Sequence, residues 1–232
     1  SVDRRRLLKV PHVVKNFSQR LPSDITDYEI RRGTKVICDG AFSMCSSLLS
    51  IAIPNSVKAI GNASFNCCQG LKSIIIPGSV ERIGDYVFKE CYALKTIIIE
   101  EGVKKIGNFV FKFCVNLNSI TIPQSVHKIG IGVFSDCYHL CSIIVDKKNS
   151  YYHSNYNCNA IIERKCNKLI AGCSTTTILS NIRCIGESSF EGMKSMTSIS
   201  IPNSVLEIQK NSFSGCEHLK DLNLPKNLEI IG

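Results

Sequence analysis

Hydrophobic and polar positions along this chain recur with a period of 23 residues. The repeated phrase is clearest from Ile60 to Arg82, where apolar residues hold fixed places and the residues between them vary. A fixed period in the twenties is typical of a solenoid. The sequence therefore predicts one elongated domain of stacked coils. The phrase begins again at Ile37, Ile83, Ile106, Ile129, Ile185 and Ile208, and Ile231 opens one more copy.

Each copy carries apolar residues at places that we expect to face a common core. The sixth place is Phe in every copy: Phe42, Phe65, Phe88, Phe111, Phe134, Phe190 and Phe213. The fifteenth and seventeenth places, such as Ile74 and Ile76 or Leu222 and Leu224, are apolar with a variable residue between them. This alternation is typical of a half-buried strand. Each copy is predicted to add one strand to a parallel sheet with a strand spacing of about 4.8 Å.

Pro and Gly mark fixed points of the repeat in most copies. Pro77 follows the predicted strand of its copy, and because it has no N–H we expect it to end the strand there. Gly84 stands at the second place of its copy. A glycine there suits either a positive φ or a close approach between coils.

The full pattern is Cys-x-x-Leu-x-x-Ile-x-Ile-Pro-x-x-Val-x-x-Ile-Gly-x-x-x-Phe-x-x-Cys. It resembles the leucine-rich repeat of the BspA-like, or treponemal, type over residues 28–232. The resemblance implies an α/β repeat solenoid, a right-handed superhelix with a parallel sheet on its concave face and short strands or 3-10 turns on its convex face. It also implies a surface or secreted protein, since some family members are adhesins that bind host matrix proteins.

The repeat is bounded by one segment outside it and interrupted by one irregular copy. Residues 1–27 do not fit the pattern, and we expect them to form an N-terminal cap on the solenoid of residues 28–232. The register breaks at Asp146 and gives an irregular copy at about 152–184. Its two short apolar runs, 160–164 and 168–172, flank a polar turn and predict a β-hairpin insertion. We expect this hairpin to project from the solenoid edge.

The thirteen cysteines do not read as a disulfide framework. Met193 replaces Cys in one copy, which indicates a buried apolar slot. Side chains stacked in one column have parallel Cβ vectors, a geometry that does not suit disulfides. We therefore predict a ladder of free, packed thiols that can donate hydrogen bonds to the backbone, with disulfide or metal use as the alternative. The column consists of Cys45, Cys68, Cys91, Cys114, Cys137 and Cys216.

Motifs for catalysis and for membrane insertion are missing from the sequence. The five His residues occupy unrelated places of the repeat, and the group Cys137, His139 and Cys141 lacks the paired Cys-x-x-Cys spacing of a zinc site. We predict no enzymatic activity, no cofactor and no metal. No apolar run reaches the length of a transmembrane segment or of a signal-peptide core. Localisation therefore rests on the resemblance alone.

The first candidate site is the solvent face of the predicted sheet. Exposed β-branched residues beside a row of hydroxyls form an apolar patch with a polar rim, which is typical of a partner-binding surface. The alternative is that β-branched residues are there because they favour strands. The candidate residues are Ile75, Ile98, Thr121 and Ile144, with Ser73, Thr96 and Ser119 beside them.

The second candidate site is basic. The formal net charge is +9, and stacking would align cations of the first coils into a stripe. Such a stripe attracts polyanions such as an acidic glycan, although a solvated face is the simpler interpretation. Nucleic acid is not expected, because no aromatic residues interleave with the cations. The stripe consists of Lys35, Lys58, Arg82, Lys104, Lys105 and Lys128.

Two functional hypotheses follow from these observations. The first is a non-enzymatic module that binds a protein or an acidic glycan, with adhesion implied by the resemblance. The second is a structural spacer or self-assembly module, in which the exposed edges at the solenoid ends mediate association.

Overall fold

The computed structural model describes residues 25–232, which form a β-solenoid of seventeen short strands. Residues 1–24 of the predicted cap lie outside the described residues, and Asp27 already belongs to the first strand. The strands alternate along the chain between two faces of the solenoid. Each regular coil therefore contributes one strand to a first ladder and one to a second ladder.

The first ladder is the sheet that the sequence predicts. Its strands pair in parallel at a spacing of one copy, so that Ile75 lies beside Ile98 and Thr121 beside Ile144. Exposed and buried residues alternate along β5, β7 and β9, as expected for a half-buried strand. The strands are β1 (Asp27–Glu29), β3 (Ser50–Ala52), β5 (Ser73–Ile76), β7 (Thr96–Ile99), β9 (Ser119–Ile122) and β11 (Ser142–Val145).

The second ladder is a five-stranded parallel sheet of two-residue strands. In most of its strands the second residue is a buried Ile, and the residue that follows this Ile is usually Gly. The resemblance implies a second set of short strands, and these strands form such a set. They are β2 (Val36–Ile37), β4 (Ala59–Ile60), β6 (Arg82–Ile83), β8 (Lys105–Ile106) and β10 (Lys128–Ile129).

The irregular copy contains an antiparallel β-hairpin, but the expectation that it projects from the edge is wrong. Strand β12 (Tyr152–His153) pairs with β13 (Ala160–Glu163), which pairs with β14 (Lys168–Gly172). Both long strands are buried because their apolar side chains pack on the neighbouring coils, β13 against β11. Strand β14 then pairs in parallel with β15 (Cys184–Ile185), and this sheet, which is separate from the second ladder, continues through β16 (Glu207–Ile208) and β17 (Ile230–Ile231).

The α part of the predicted α/β class is absent from residues 25–232, whose only helical element is a 3-10 turn at Asn155–Asn157. The physical reason lies in the turn that follows each second-ladder strand. Its fourth and eighth places adopt left-handed backbone conformations, with φ of 57° at Tyr86 and 61° at Glu90. Left-handed residues spaced four apart cannot belong to one right-handed α-helix. Each turn instead hydrogen-bonds to the turn of the next coil, as when the Phe88 N–H donates to the Val110 carbonyl oxygen at 2.8 Å.

The core consists of stacked columns of identical residues. Consecutive Phe rings stack at 5.1 Å between Phe42 and Phe65 and at 5.7 Å between Phe88 and Phe111. The predicted ladder of free thiols is confirmed: the Cys114 thiol is buried and donates to the Phe88 carbonyl oxygen at 3.1 Å. The same bond, from Sγ to the Phe carbonyl of the preceding coil, recurs at Cys68, Cys91, Cys137 and Cys216.

The constant spacing between regular coils depends on a close contact between a Gly of one coil and an Asp or Asn of the preceding coil. Sequence reasoning missed this contact. A Cβ atom added to Gly84 would lie 2.5 Å from Asn62 Oδ1, so the glycine serves a close approach between coils and not a positive φ. Asn62 Oδ1 accepts a hydrogen bond from the Asp85 N–H at 2.9 Å. In the next coil, the Asn108 N–H donates in the same way to Asp85 Oδ1 at 2.8 Å. A signal was present, because Asp or Asn follows the Gly place in these consecutive copies.

The turn after the irregular copy stacks directly on the turn of the coil that begins at Ile129. The Asp136 N–H donates to the Glu191 carbonyl oxygen at 2.8 Å, across 55 positions of sequence. The Lys112 ammonium lies 2.8 Å from Glu191 Oε1 and 3.5 Å from Asp136 Oδ2. We call this cluster the seam. The irregular copy thus adds strands to the solenoid wall but no Phe-to-Cys turn of its own.

The last coil departs from the predicted core. Leu222 and Leu224 occupy inward places of the repeat, yet 37% and 49% of their surfaces are exposed. No further coil packs on them among residues 25–232. Ile230 and Ile231 are exposed for the same reason.

Candidate functional site

The predicted apolar patch forms a continuous row on the first ladder. Ile75, Ile98 and Ile144 are exposed by 52%, 49% and 52%, while the residues on either side of each are the strand positions that face inward. Thr121 lies between Ile98 and Ile144 in the row and is also exposed. The hydroxyl residues Ser73, Thr96 and Ser119 form a parallel exposed row two positions earlier. We call the four-residue row, Ile75, Ile98, Thr121 and Ile144, the ladder row.

The two ends of these strands carry opposite charges. Lys72 and Lys95 immediately precede β5 and β7 and are exposed. Glu100 follows β7 and Asp146 follows β11, and both carboxylates are on exposed residues. The ladder row is therefore an apolar strip between a basic border and an acidic border.

The ladder row ends in a cleft that sequence reasoning missed. The cleft has a volume of about 740 Å³ and lies between β11 and the loop of the irregular copy. Its lining combines the ladder with polar loop residues, and the side chain of Tyr156 is 88% exposed. The lining includes Thr121, Ile144, Asp146, Tyr156, Asn157 and Asn159.

The cleft loop, residues 154–159, is held in place by hydrogen bonds at both ends. The Val145 N–H donates to Ser154 Oγ at 2.8 Å, which ties the loop to β11. The Asn155 N–H donates to His153 Nδ1 at 3.3 Å, and Thr176 Oγ1 donates to the Asn159 carbonyl oxygen at 2.7 Å. Burial, with a smaller contribution from the Arg164 charge, lowers the pKa of His153. The ring is therefore kept neutral, as its role as an acceptor requires.

The predicted basic stripe consists of two adjacent columns. Arg82, Lys105 and Lys128 occupy neighbouring places in β6, β8 and β10. Lys35, Lys58 and Lys104 belong to the column one place earlier, which also contains Glu81. The Lys104 ammonium bonds Glu81 Oε2 at 2.9 Å, and this hydrogen bond lowers the pKa of the carboxyl. The longest run of adjacent cations is thus Arg82, Lys105 and Lys128.

Cys137 and Cys141 of the predicted Cys/His group lie in different surroundings. Cys137 is buried and donates to the Phe111 carbonyl oxygen at 3.0 Å, whereas Cys141 faces Asn118. Among residues 25–232 no group of three or more His, Cys, Asp or Glu side chains is placed to hold a metal ion. The same part of the chain contains no helix with the length and apolar character of a membrane span.

Stacked coils of 23 residues, each with a strand of Ile and a turn of Phe and Cys, define a leucine-rich-repeat protein. The family model for the BspA type leucine rich repeat region matches residues 17–141 and 160–232 in six copies. The chain belongs to this family. Between the two matched ranges, residues 142–159 are unmatched, and they include β11 and the cleft loop.

Similar solved structures come from bacteria. The pneumococcal vaccine antigen PcpA matches with a TM-score of 0.74 at 19% identity, over 88% of this chain and 51% of that one. A leucine-rich repeat protein from Eubacterium ventriosum matches with a TM-score of 0.76 at 24% identity, over 90% and 56%. One from Bacteroides ovatus matches with a TM-score of 0.55 at 30% identity, over 90% and 57%.

The chain thus spans about half the length of these relatives, and the first two likenesses show the fold alone. A search of curated proteins finds no match.

Proposed function

We propose that this chain is a non-enzymatic protein-binding module whose partner lies across the ladder row. The observation that carries the proposal is the row of half-exposed aliphatic side chains at Ile75, Ile98 and Ile144, in which the coil of Thr121 separates Ile98 from Ile144. Membership of a leucine-rich-repeat family supports a binding role, because solenoids commonly bind partners on an extended sheet face. Family membership also supports placing the module at the cell surface or outside the cell.

The borders of the ladder row favour a protein as the partner. Protein interfaces combine an apolar centre with a polar, solvent-accessible rim. The ladder row supplies such a centre, and Lys72, Lys95, Glu100 and Asp146 supply a rim with charges of both signs. Four coils at about 4.8 Å each give a strip about 15 Å long between its first and last side chains. That length suits an extended segment or the face of a small domain.

The experiment measures binding of the purified chain to immobilised fibronectin, laminin and collagen. The variant Ile75→Ser with Ile98→Ser removes half of the ladder row. Its matched control, Val36→Ser with Ile131→Ser, removes two exposed aliphatic side chains elsewhere. We expect the first variant to lose at least about tenfold in affinity, since each Ile would bury roughly half of its surface. Equal effects of the two variants, or retained binding by the first, would refute the proposal.

The cation run Arg82, Lys105 and Lys128 supports a second candidate function, the binding of an acidic glycan. Three adjacent cations on one sheet give a local positive potential that salt weakens. We expect the chain to elute from a heparin column at a higher salt concentration than Lys105→Gln with Lys128→Gln. The control is Lys147→Gln with Lys148→Gln, which removes the same charge outside the run. Identical elution of the two variants contradicts this function.

Self-association stays the remaining alternative. Sedimentation velocity at rising concentration tests it, and a chain that stays monomeric rules it out.

A further inference from the structure

We propose that the cleft between β11 and the cleft loop binds a neutral saccharide. The cleft shares Thr121 and Ile144 with the ladder row, but its loop lies outside that row and the proposal requires a different ligand. It rests on three features of the cleft, which are an exposed aromatic ring, a set of amides beside that ring, and a loop whose left-handed backbone is held by hydrogen bonds.

The first feature is Tyr156, whose side chain lines the cleft and is 88% exposed. Two other exposed tyrosines have aromatic partners, since Tyr86 stacks on Phe109 at 5.4 Å and Tyr151 lies 5.5 Å from the His127 ring. Tyr92, which is 38% exposed, stacks on no ring but does not line the cleft. Among the described residues, no ring stacks on Tyr156. An aromatic ring with an apolar face and a polar tip suits the C–H face of a pyranose together with its hydroxyl groups.

The second feature is the amide set of Asn155, Asn157 and Asn159. An amide offers two donors and an acceptor, which matches neighbouring sugar hydroxyls that also donate and accept. Asn159 Nδ2 donates to Thr175 Oγ1 at 3.1 Å, and this bond fixes the direction of the side-chain oxygen Oδ1 of Asn159. Within residues 25–232, no hydrogen bond engages the side-chain amide of Asn155 or of Asn157.

The charges of the lining favour a neutral ligand over an acidic one. The lining includes one anion, Asp146, and one cation, Lys147, so its formal charges cancel. The cation run Arg82, Lys105 and Lys128 belongs to the second ladder and does not line the cleft. An acidic saccharide would therefore gain little electrostatic attraction at this place.

The third feature is the backbone of the cleft loop. Tyr156, Asn157 and Asn159 adopt left-handed conformations with φ of 58°, 52° and 49°. Such conformations cost free energy in residues with side chains, and they persist where the surroundings enforce them, often at binding sites. Here the enforcing contacts are the bonds to Ser154 Oγ and to the Asn159 carbonyl oxygen. The loop thus presents its ring and amides in one conformation, which reduces the entropy lost on binding.

The size of the cleft is consistent with a short saccharide. Small-molecule sites commonly occupy about 300–1,000 Å³, and this cleft has a volume of about 740 Å³. Its floor is formed by Thr121 and Ile144 of the ladder row. Because the floor is shared with the protein-binding surface, the test uses loop residues that the ladder row does not contain.

The experiment titrates the chain with neutral disaccharides and trisaccharides of glucose, galactose, mannose and their N-acetyl derivatives. Because the chain has no Trp, tyrosine emission can report binding, and calorimetry confirms it. The test variant is Tyr156→Ala. The matched control is Tyr151→Ala, which removes an exposed tyrosine from the same copy. A third variant, Asn157→Gly, removes an amide at a position whose positive φ glycine accepts without strain.

We expect at least one saccharide to bind, and Tyr156→Ala to weaken its binding about tenfold. Asn157→Gly should also weaken binding while the thermal midpoint stays the same or rises, which separates lost recognition from lost folding. Tyr151→Ala should bind as the wild type does. The absence of binding across the panel, or equal binding by Tyr156→Ala, would overturn the proposal.

The variant Ile75→Ser with Ile98→Ser separates this proposal from the protein-binding function. It should lose protein binding and retain saccharide binding, so that either proposal can fail alone.

Discussion

The seam offers a direct test of how the coil after the irregular copy is attached. Lys112 reaches across two coils to Glu191 at 2.8 Å and also approaches Asp136 at 3.5 Å. Substitution of Lys112 by Met keeps the aliphatic length of the side chain but removes the charge. The two carboxylates are then left near one another without a cation. We expect Lys112→Met to lower the free energy of unfolding substantially.

The magnitude follows from the burial of the three side chains. Those of Lys112, Asp136 and Glu191 are 20%, 14% and 18% exposed. Removal of one partner from a fully buried ion pair costs about 3–5 kcal/mol, whereas an exposed pair contributes about 0–1 kcal/mol. The seam lies between these limits, so we expect a loss of about 2 kcal/mol.

The pKa values of the two carboxyls give the expected pH dependence. Burial acts to raise the pKa of Glu191, but its bonds to Lys112 and neighbouring hydroxyls leave the pKa below the ordinary 4.5. A carboxyl with a lowered folded pKa contributes stability above its unfolded pKa and loses it as the pH falls. Burial raises the pKa of Asp136 even beside Lys112. The difference between wild type and Lys112→Met should therefore shrink as the pH falls below about 4.5.

Urea unfolding of both proteins, at neutral and acidic pH, measures this loss. The matched control is Lys104→Met, because the Lys104–Glu81 pair has the same chemistry with side chains 51% and 54% exposed. The control should lose clearly less stability than Lys112→Met, because solvent screens an exposed ion pair. Equal losses in the two variants would show that the seam contributes no more than a surface ion pair. The double variant Lys112→Met with Glu191→Gln should lose less free energy of unfolding than the two single variants lose together.

Three further predictions concern the regular coils and the cleft loop. Gly84→Ala should cost about 2 kcal/mol in urea unfolding, because its Cβ would lie 2.5 Å from Asn62 Oδ1 and 2.8 Å from the Asn62 nitrogen; an unchanged midpoint contradicts this. A thiol reagent, followed by mass spectrometry, should modify exposed Cys166 in the native protein but buried Cys114 only after unfolding, and native labelling of Cys114 argues against the thiol ladder. Because the folded pKa of His153 is lowered from 6.5, thermal stability should fall as the pH drops below that value, and His153→Gln should flatten this dependence.

The sequence predicts the repeated features of this fold because each copy of the repeat carries the same residue types at the same places. Phe111 and Cys114 lie in columns of like residues, and their burial follows from the column and not from their own neighbours along the chain. The left-handed backbone conformations in the turns could not be predicted from the sequence for a related reason. Ordinary residues such as Tyr86 and Glu90 occupy them, so no glycine marks the two points that exclude an α-helix.

Features that occur only once in the chain could not be predicted from the repeat. Lys112 and Glu191 are 79 residues apart, and the distance is not a multiple of the period. The hairpin was recognisable from its own apolar runs, but its burial depends on the space that the neighbouring coils leave. The cleft loop carries no repeat signal at all, and its chemistry becomes visible only where it meets Thr121 and Ile144.

The two proposed sites should differ in how they respond to substitution, because the fold produces them in different ways. The ladder row is made of equivalent coils, and each aliphatic side chain contributes a similar area, so losses of affinity along the row should be graded and nearly additive. The cleft arises where the register breaks, and its ring, amides and strained backbone act on one ligand together. Losses there should be large for single residues and strongly non-additive. A double-mutant cycle on Tyr156 and Asn157, set beside one on Ile75 and Ile98, would distinguish a repeated surface from a single built site.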